Sequence, residues 1–182
     1  MAHTSLADHV ISFPDALPAA VCEALIGRFE ASTDQEARQR DDGHSFVQLD
    51  ISRHWPDQSK LLTQLFLSYF AQYKAAVNAE FWPPAFSFEN LRIKRYLPNG
   101  RDGFPPHVDV MGQAAAKRFM TAMIYLNATA GGETVFPGLG LSIPPETGKL
   151  LAFPPIWLFP HAGLPPRVSP KYILHTYLCY PS

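Results

Sequence analysis

Apolar residues recur along this chain at two different periods, and the change of period divides it. Val21, Leu25, Ile26 and Phe29 are spaced as on one helix face, and Pro18 can open that helix, which runs to about residue 30. Leu61, Leu62, Leu65, Phe66, Tyr69, Phe70, Tyr73 and Val77 make a wider stripe, predicting the strongest helix in the chain, with Asp57 or Ser59 as its cap. Short strands are predicted at residues 10–13 and 45–51. Residues 32–44 between them are polar and charged, have nothing to bury, and are expected to form an exposed loop able to act as a lid.

From residue 86 the period falls to two. In residues 86–97, Leu91, Ile93 and Leu97 share one face while Arg92, Lys94 and Tyr96 share the other. Residues 119–126 divide likewise, Met120, Ala122, Ile124 and Leu126 against Thr121, Met123 and Tyr125. Further short strands are predicted at 133–136, 149–153, 157–159 and 171–180, separated by glycine and proline turns. Strands with one greasy face need the helices laid on that face. The pattern predicts a mainly β (α+β) fold, an antiparallel barrel or sandwich with N-terminal helices on one sheet. The 182 residues form one domain, with 1–85 mostly helical support and 86–182 the core barrel.

Composition sharpens this in three ways. Hydrophobic residues at 47% and charged residues at 17% are those of a folded chain. Net charge of -1 gives no electrostatic reason to expect nucleic acid or an anionic membrane as partner, and no apolar run is long enough to span one; a cytoplasmic protein without a secretory leader is expected. Of the 18 prolines, the pairs at 83–84, 105–106, 144–145, 154–155 and 165–166 should bound strands rather than occupy them, because proline cannot donate to a ladder. Cys22 and Cys179 lie far apart in apolar sequence and are expected to be buried reduced thiols.

The candidate chemistry begins at His107-Val108-Asp109. In an extended strand the His and Asp side chains point the same way, about 6.6 Å apart along the chain, close enough to converge on one metal ion. One more histidine would complete the two-His, one-carboxylate triad of non-haem Fe(II) oxygenases. His161 and His175 are the two histidines downstream, and Lys171 lies between them as the last cation of the chain. A site that also holds a dianionic cosubstrate needs such a cation. His3, His9, His44 and His54 are expected in solvent or loops. Arg92, Lys94 and Arg118 stand as rim residues that can meet substrate.

Several motifs appear in order with compatible gaps: Arg95-Tyr96, His107-Val108-Asp109, Ile124-Tyr125-Leu126-Asn127, residues 131–136, residues 148–153, His161-Ala162-Gly163 and residues 171–174. Over residues 90–180 the chain resembles the Fe(II)- and 2-oxoglutarate-dependent dioxygenases of the prolyl 4-hydroxylase-like group. The resemblance implies a double-stranded β-helix (jelly roll). It implies His107, Asp109 and His161 as metal ligands and catalytic centre, Lys171 as partner of the distal carboxylate of 2-oxoglutarate, and Tyr96 and Tyr125 as hydroxyl donors in that pocket. It also implies Fe(II), 2-oxoglutarate and O₂ as cofactors, with ascorbate as an accessory reductant. The expected reaction couples oxidative decarboxylation of 2-oxoglutarate to hydroxylation of an unactivated C–H bond. The first expectation for substrate is a prolyl residue of a peptide or protein, or a small amino-acid-like molecule. His175 shares a strand face with Lys171 and should lie about 13 Å further along, toward the iron end. Nucleic-acid demethylation fits less well, since Lys171 and Tyr177 stand where two arginines are typical. Halogenation is disfavoured because Asp109 fills the place a halide needs. The reading from another class is a cupin-like barrel that binds a metal or small ligand without turnover, and a third is the same oxygenase chemistry on another small molecule.

Overall fold

The computed structural model describes residues 5–39 and 44–181. In chain order the strands are β1 Ile11–Phe13, β2 Glu36–Gln39, β3 Ser45–Asp50, β4 Ser87–Phe88, β5 Arg92–Tyr96, β6 Phe104–His107, β7 Arg118–Tyr125, β8 Thr134–Phe136, β9 Leu141–Ile143, β10 Leu150–Phe153, β11 His161–Gly163 and β12 Lys171–Cys179. The helices are α1 Ala19–Glu30, α2 Ile51–His54 and α3 Pro56–Ala76. An eight-stranded antiparallel sheet runs β1-β10-β7-β12-β5-β3-β2, with β4 also paired to β12; a four-stranded sheet runs β6-β11-β8-β9. Two antiparallel sheets with helices on the larger one form the expected jelly roll.

Strand alternation builds two cores. Leu49, Ile93, Ala122, Ile124 and Leu174 leave the large sheet on one face and meet Cys22, Leu25 and Phe29 of α1 and Leu62, Phe66, Phe70 and Tyr73 of α3. Tyr96, Met123, Tyr125 and Ile173 leave on the other face and meet Phe136, Phe153 and Phe159 between the sheets. Cys22 and Cys179 are buried and unpaired. Among the described residues no helix is long and apolar enough to cross a membrane.

Five local expectations fail, each for a backbone reason. Residues 36–39 of the supposed loop are a strand, exposed at every position, pairing with β3 alone. Backbone bonding to an edge does not require apolar side chains, and a charged edge resists pairing with other chains. Residues 40–43 of that segment, and His3, lie outside the described residues. Pro105-Pro106 sits inside β6, which is tolerated because β6 is the edge of its sheet, bonded to β11 alone. The strand predicted over 86–97 is interrupted because Leu91 turns to the helical layer, its N–H donating to Ser52 Oγ at 2.9 Å and its carbonyl accepting from Ile51 N at 3.0 Å. Residues 157–159 form a turn closed by Phe159 N to the Ile156 carbonyl at 2.9 Å, since the flanking prolines 154, 155 and 160 leave few donors for a ladder. In α3 neither Asp57 nor Ser59 caps; Pro56 occupies the first turn directly after α2, where its fixed φ suits a helix start.

Gly148 fixes how the N-terminal layer meets the barrel. Its φ is +78°, its N–H donates to the Tyr125 carbonyl at 2.8 Å, and its carbonyl accepts from Leu17 N at 3.1 Å. A Cβ there would clash with the Leu17 carbonyl oxygen. Gly148→Ala is therefore expected to destabilise the fold by about 2–4 kcal/mol, combining left-handed strain with a backbone displacement. The measurement is the urea unfolding midpoint, which should fall with the slope of the transition unchanged.

Candidate metal centre and its cavity

β6 ends at His107, so Asp109 lies just past the strand and not on it. The chain bends there because the N–H groups of Asp109 and Val110 both donate to the Pro155 carbonyl, each at 3.2 Å. That bend, rather than strand alternation, returns the carboxylate to the imidazole. Asp109 Oδ1 is 3.4 Å from His107 Nε2, and Oδ2 is 3.8 Å from His161 Nε2. His161 opens β11 directly across from His107, with ring centroids 4.5 Å apart. One donor atom from each of the three lies within 4.8 Å of the others, and among the described residues this is the one such grouping of three His, Cys, Asp or Glu. His9 packs edge-on to Phe159 and His54 pairs with Asp34 at 3.3 Å, both away from the triad.

Both imidazoles are held in the tautomer a metal requires. His107 Nδ1 lies 2.7 Å from the Pro105 carbonyl and His161 Nδ1 lies 3.1 Å from the Phe159 carbonyl. A carbonyl only accepts, so each Nδ1 carries the proton and each Nε2 lone pair faces Asp109. His161 is further clamped between the rings of Phe136 and Phe153. Burial lowers the His161 pKa, keeping it neutral. Burial pushes the Asp109 carboxyl up, but a hydrogen bond donated by His107 and the charge that His161, His175 and His107 bring when protonated outweigh it and hold the group well below the usual carboxylate range. Two imidazoles and one carboxylate grouped at the wall of a cavity suit a divalent ion such as Fe(II) with exchangeable positions.

A cavity lies behind the triad and is bounded by all three of its members. Lys171, Ile173, His175 and Tyr177 form one wall of it, all from one face of β12. Lys171 is buried; its ammonium donates to the carbonyls of Gly132 at 3.0 Å and Leu164 at 3.3 Å and lies 4.7 Å from the Tyr96 ring centroid. Burial pulls its pKa down to about 8, with the Glu133 charge acting the other way. Tyr125 donates its hydroxyl to Thr134 Oγ1 at 2.6 Å. Burial raises both Tyr96 and Tyr125, so they stay neutral donors.

His175 lines the same cavity outside the triad, with Nε2 2.9 Å from Thr121 Oγ1 and Nδ1 3.4 Å from Lys94 Nζ. Burial, then the Lys94 charge, lowers its pKa well below the ordinary value. The sequence reading put Thr121 on the same strand face as Tyr125 but gave it no role, and it assigned none to Thr134 or to Tyr177 in the cavity. Tyr177 was available from the period of β12, two residues beyond His175; Thr134 carries no local signal.

Residues 91–179 match the family model of the 2OG-Fe(II) oxygenase superfamily. No curated protein matches the chain. Among solved structures, a viral collagen prolyl hydroxylase from Paramecium Bursaria Chlorella virus-1, in its 2OG complex, is 21% identical over 96% of this chain and 97% of its own, with a TM-score of 0.69. A prolyl-4-hydroxylase from Pseudomonas putida is 20% identical over 96% and 94%, TM-score 0.66. A Trichoplax adhaerens prolyl hydroxylase, in complex with a hypoxia inducible factor oxygen degradation domain peptide fragment, is 14% identical over 94% and 84%, TM-score 0.73. These likenesses carry the fold.

The two late histidines separate by metal content. His161→Ala should abolish stoichiometric iron binding, because it removes one of three donors, whereas His175→Ala should retain iron and lower the yield of hydroxylated product per succinate. Iron per chain on the two purified variants decides this. Metal lost with His175→Ala and kept with His161→Ala would reverse the assignment.

Proposed function

We propose, from the match of residues 91–179 to the 2OG-Fe(II) oxygenase superfamily, that this chain is a 2-oxoglutarate-dependent dioxygenase that hydroxylates a prolyl ring or a small amino-acid-like substrate. The observation that carries the reading is that the His107, Asp109, His161 grouping and the buried Lys171 ammonium share one cavity. The three solved structures compared above are named as prolyl hydroxylases, which supports the choice of substrate.

Each residue then has a physical task. His107, Asp109 and His161 would hold Fe(II), for which two neutral nitrogens and one anionic oxygen fit. Bound together, Fe(II), 2-oxoglutarate and O₂ supply the oxidising power for hydroxylation, with 2-oxoglutarate leaving as succinate and CO₂. Lys171 pairs with the distal carboxylate and fixes how far 2-oxoglutarate extends into the cavity. Gly132 and Leu164 aim its ammonium, and the Tyr96 ring closes one side of it. Tyr125, tied to Thr134, holds a neutral hydroxyl in the same wall. Ferrous iron, Asp109, dianionic 2-oxoglutarate and Lys171 together carry no net charge, so the assembly can be buried. Phe104 lines the cavity and Phe136 and Phe153 back His161, an apolar surround that keeps water from the assembly.

The direct test is succinate production from 2-oxoglutarate, dependent on Fe(II) and O₂, with gain of one oxygen atom by a prolyl or amino-acid substrate in a mass-shift screen. Modification of another residue type would replace the substrate while leaving the chemistry.

Lys171 gives a second test. Its folded pKa is lowered from 10.5 to about 8, so in the free enzyme the ammonium is present below pH 8 and is lost as pH rises through that value. 2-Oxoglutarate selects the protonated form. Its KM should therefore rise about tenfold between pH 7 and pH 9, one decade per pH unit once above the pKa. Lys171→Met should raise KM at pH 7 by about thirtyfold or more, the consequence of stranding a buried carboxylate, and should flatten the pH dependence.

A further inference from the structure

Lys94 is the cation that the oxygenase chemistry does not use. On β5 it shares a face with Arg92 and Tyr96, and pairing with β12 sets Tyr96 opposite Lys171, Lys94 opposite Ile173 and Arg92 opposite His175. Lys94 thus stands two residues along the sheet from the pair assigned to 2-oxoglutarate. The outer part of the cavity is bounded by Arg92, Lys94, Arg118 and His175 together with His107 and Asp109, and does not reach Lys171 or Tyr125.

The three cations of this outer part are not equivalent. Arg92 lies 3.8 Å from Asp50, and Arg118 grips both oxygens of Glu89 at 2.5 and 2.9 Å. Lys94 makes no ion pair within 4.0 Å among the described residues. Its hydrogen-bond contact is His175 Nδ1 at 3.4 Å, and the rings of Phe46 and Phe104 flank it with centroids at 5.5 Å. A neutral imidazole and two ring faces orient an ammonium without neutralising it. His175 is itself fixed by Thr121, so it uses one Lys94 proton as acceptor and leaves two unengaged. Iron, Asp109, 2-oxoglutarate and Lys171 already cancel, so Lys94 leaves the loaded cavity with one positive charge in excess. A partly buried ammonium without a counter-ion is costly, and the missing group is an anion that arrives with the substrate.

We propose that Lys94 is the substrate-anchoring residue, pairing with a carboxylate on the substrate so that the adjacent C–H bond lies over the His107, Asp109, His161 grouping. The proposal rests on the oxygenase reading and narrows it to a substrate with a free carboxylate, an amino acid or a chain ending in one, in place of a prolyl ring inside an uncharged peptide.

The test uses the whole enzyme, anaerobic, loaded with Fe(II) and saturating 2-oxoglutarate so that Lys171 is already paired. It is titrated with three probes: the common free L-amino acids as a pool, the same pool as amides, and an Ala-Pro dipeptide with free or amidated C-terminus. Binding is read by saturation-transfer NMR. Carboxylate probes should bind at least tenfold more tightly than their amides. Lys94→Gln should remove that preference while leaving iron and 2-oxoglutarate content unchanged, and Lys94→Arg should keep it. Preference for the pool or for the dipeptide tells which source supplies the carboxylate. Equal binding of acids and amides, an unchanged preference in Lys94→Gln, or no carboxylate bound at all overturns the proposal. Loss of succinate formation by the native enzyme would instead strike the oxygenase reading, so the two failures are told apart.

Discussion

The molecule depends on one strand being covered on both faces. All nine residues of β12 are buried, and its neighbours β7 and β5 pair with it along most of its length. Tyr172, Leu174 and Leu178 face the helical layer, while Lys171, Ile173, His175 and Tyr177 face the cavity. A one-residue slip of register would bury Lys171 and His175 among Leu25, Phe66 and Phe70 and turn leucines toward the cavity. The apolar face is therefore what holds the polar face in place: α1 and α3 contribute nothing to the site directly, yet they fix the register on which it depends.

The metal-binding grouping is secured differently, by backbone carbonyls. β6 and β11 are short and belong to the smaller sheet, and β6 is interrupted by two prolines. The carbonyls of Pro105, Pro155 and Phe159 supply the missing rigidity, one for each of His107, Asp109 and His161. A set of donors oriented before any ion arrives loses little entropy on binding one.

This division explains how far the sequence could be read. Alternation in β5, β7 and β12 put Tyr96, Tyr125, Lys171 and His175 on the cavity side, because a two-residue period is a local property and survives into the fold. The helices were legible for the same reason at their own period. Asp109 was placed beside His107 by assuming a continuous strand, whereas a bend held by Pro155 delivers it; residue 155 is far away in sequence and gives no local sign of that bond. The strand at 36–39 was hidden because an exposed edge has no apolar pattern to display. Thr134, and the role of Thr121 beside His175, became visible once β8, β7 and β12 were brought together in the fold.

Charge orders the cavity as firmly as packing does. The inner end holds one ammonium, Lys171, aimed by two carbonyls and suited to a carboxylate of fixed depth. The outer end has Lys94, aimed by a neutral imidazole and also without a carboxylate of its own. Arg92 and Arg118 nearby are each neutralised by a carboxylate, so the surface around Lys94 does not attract anions indiscriminately. With a divalent ion on the His107, Asp109, His161 grouping, the two ammoniums would be balanced by dianionic 2-oxoglutarate together with one carboxylate of the substrate. Lys171 and Lys94 lie on the paired strands β12 and β5, offset by two residues, roughly 6.6 Å along the strands and about 5 Å across them, a separation that lets each lysine take its own carboxylate.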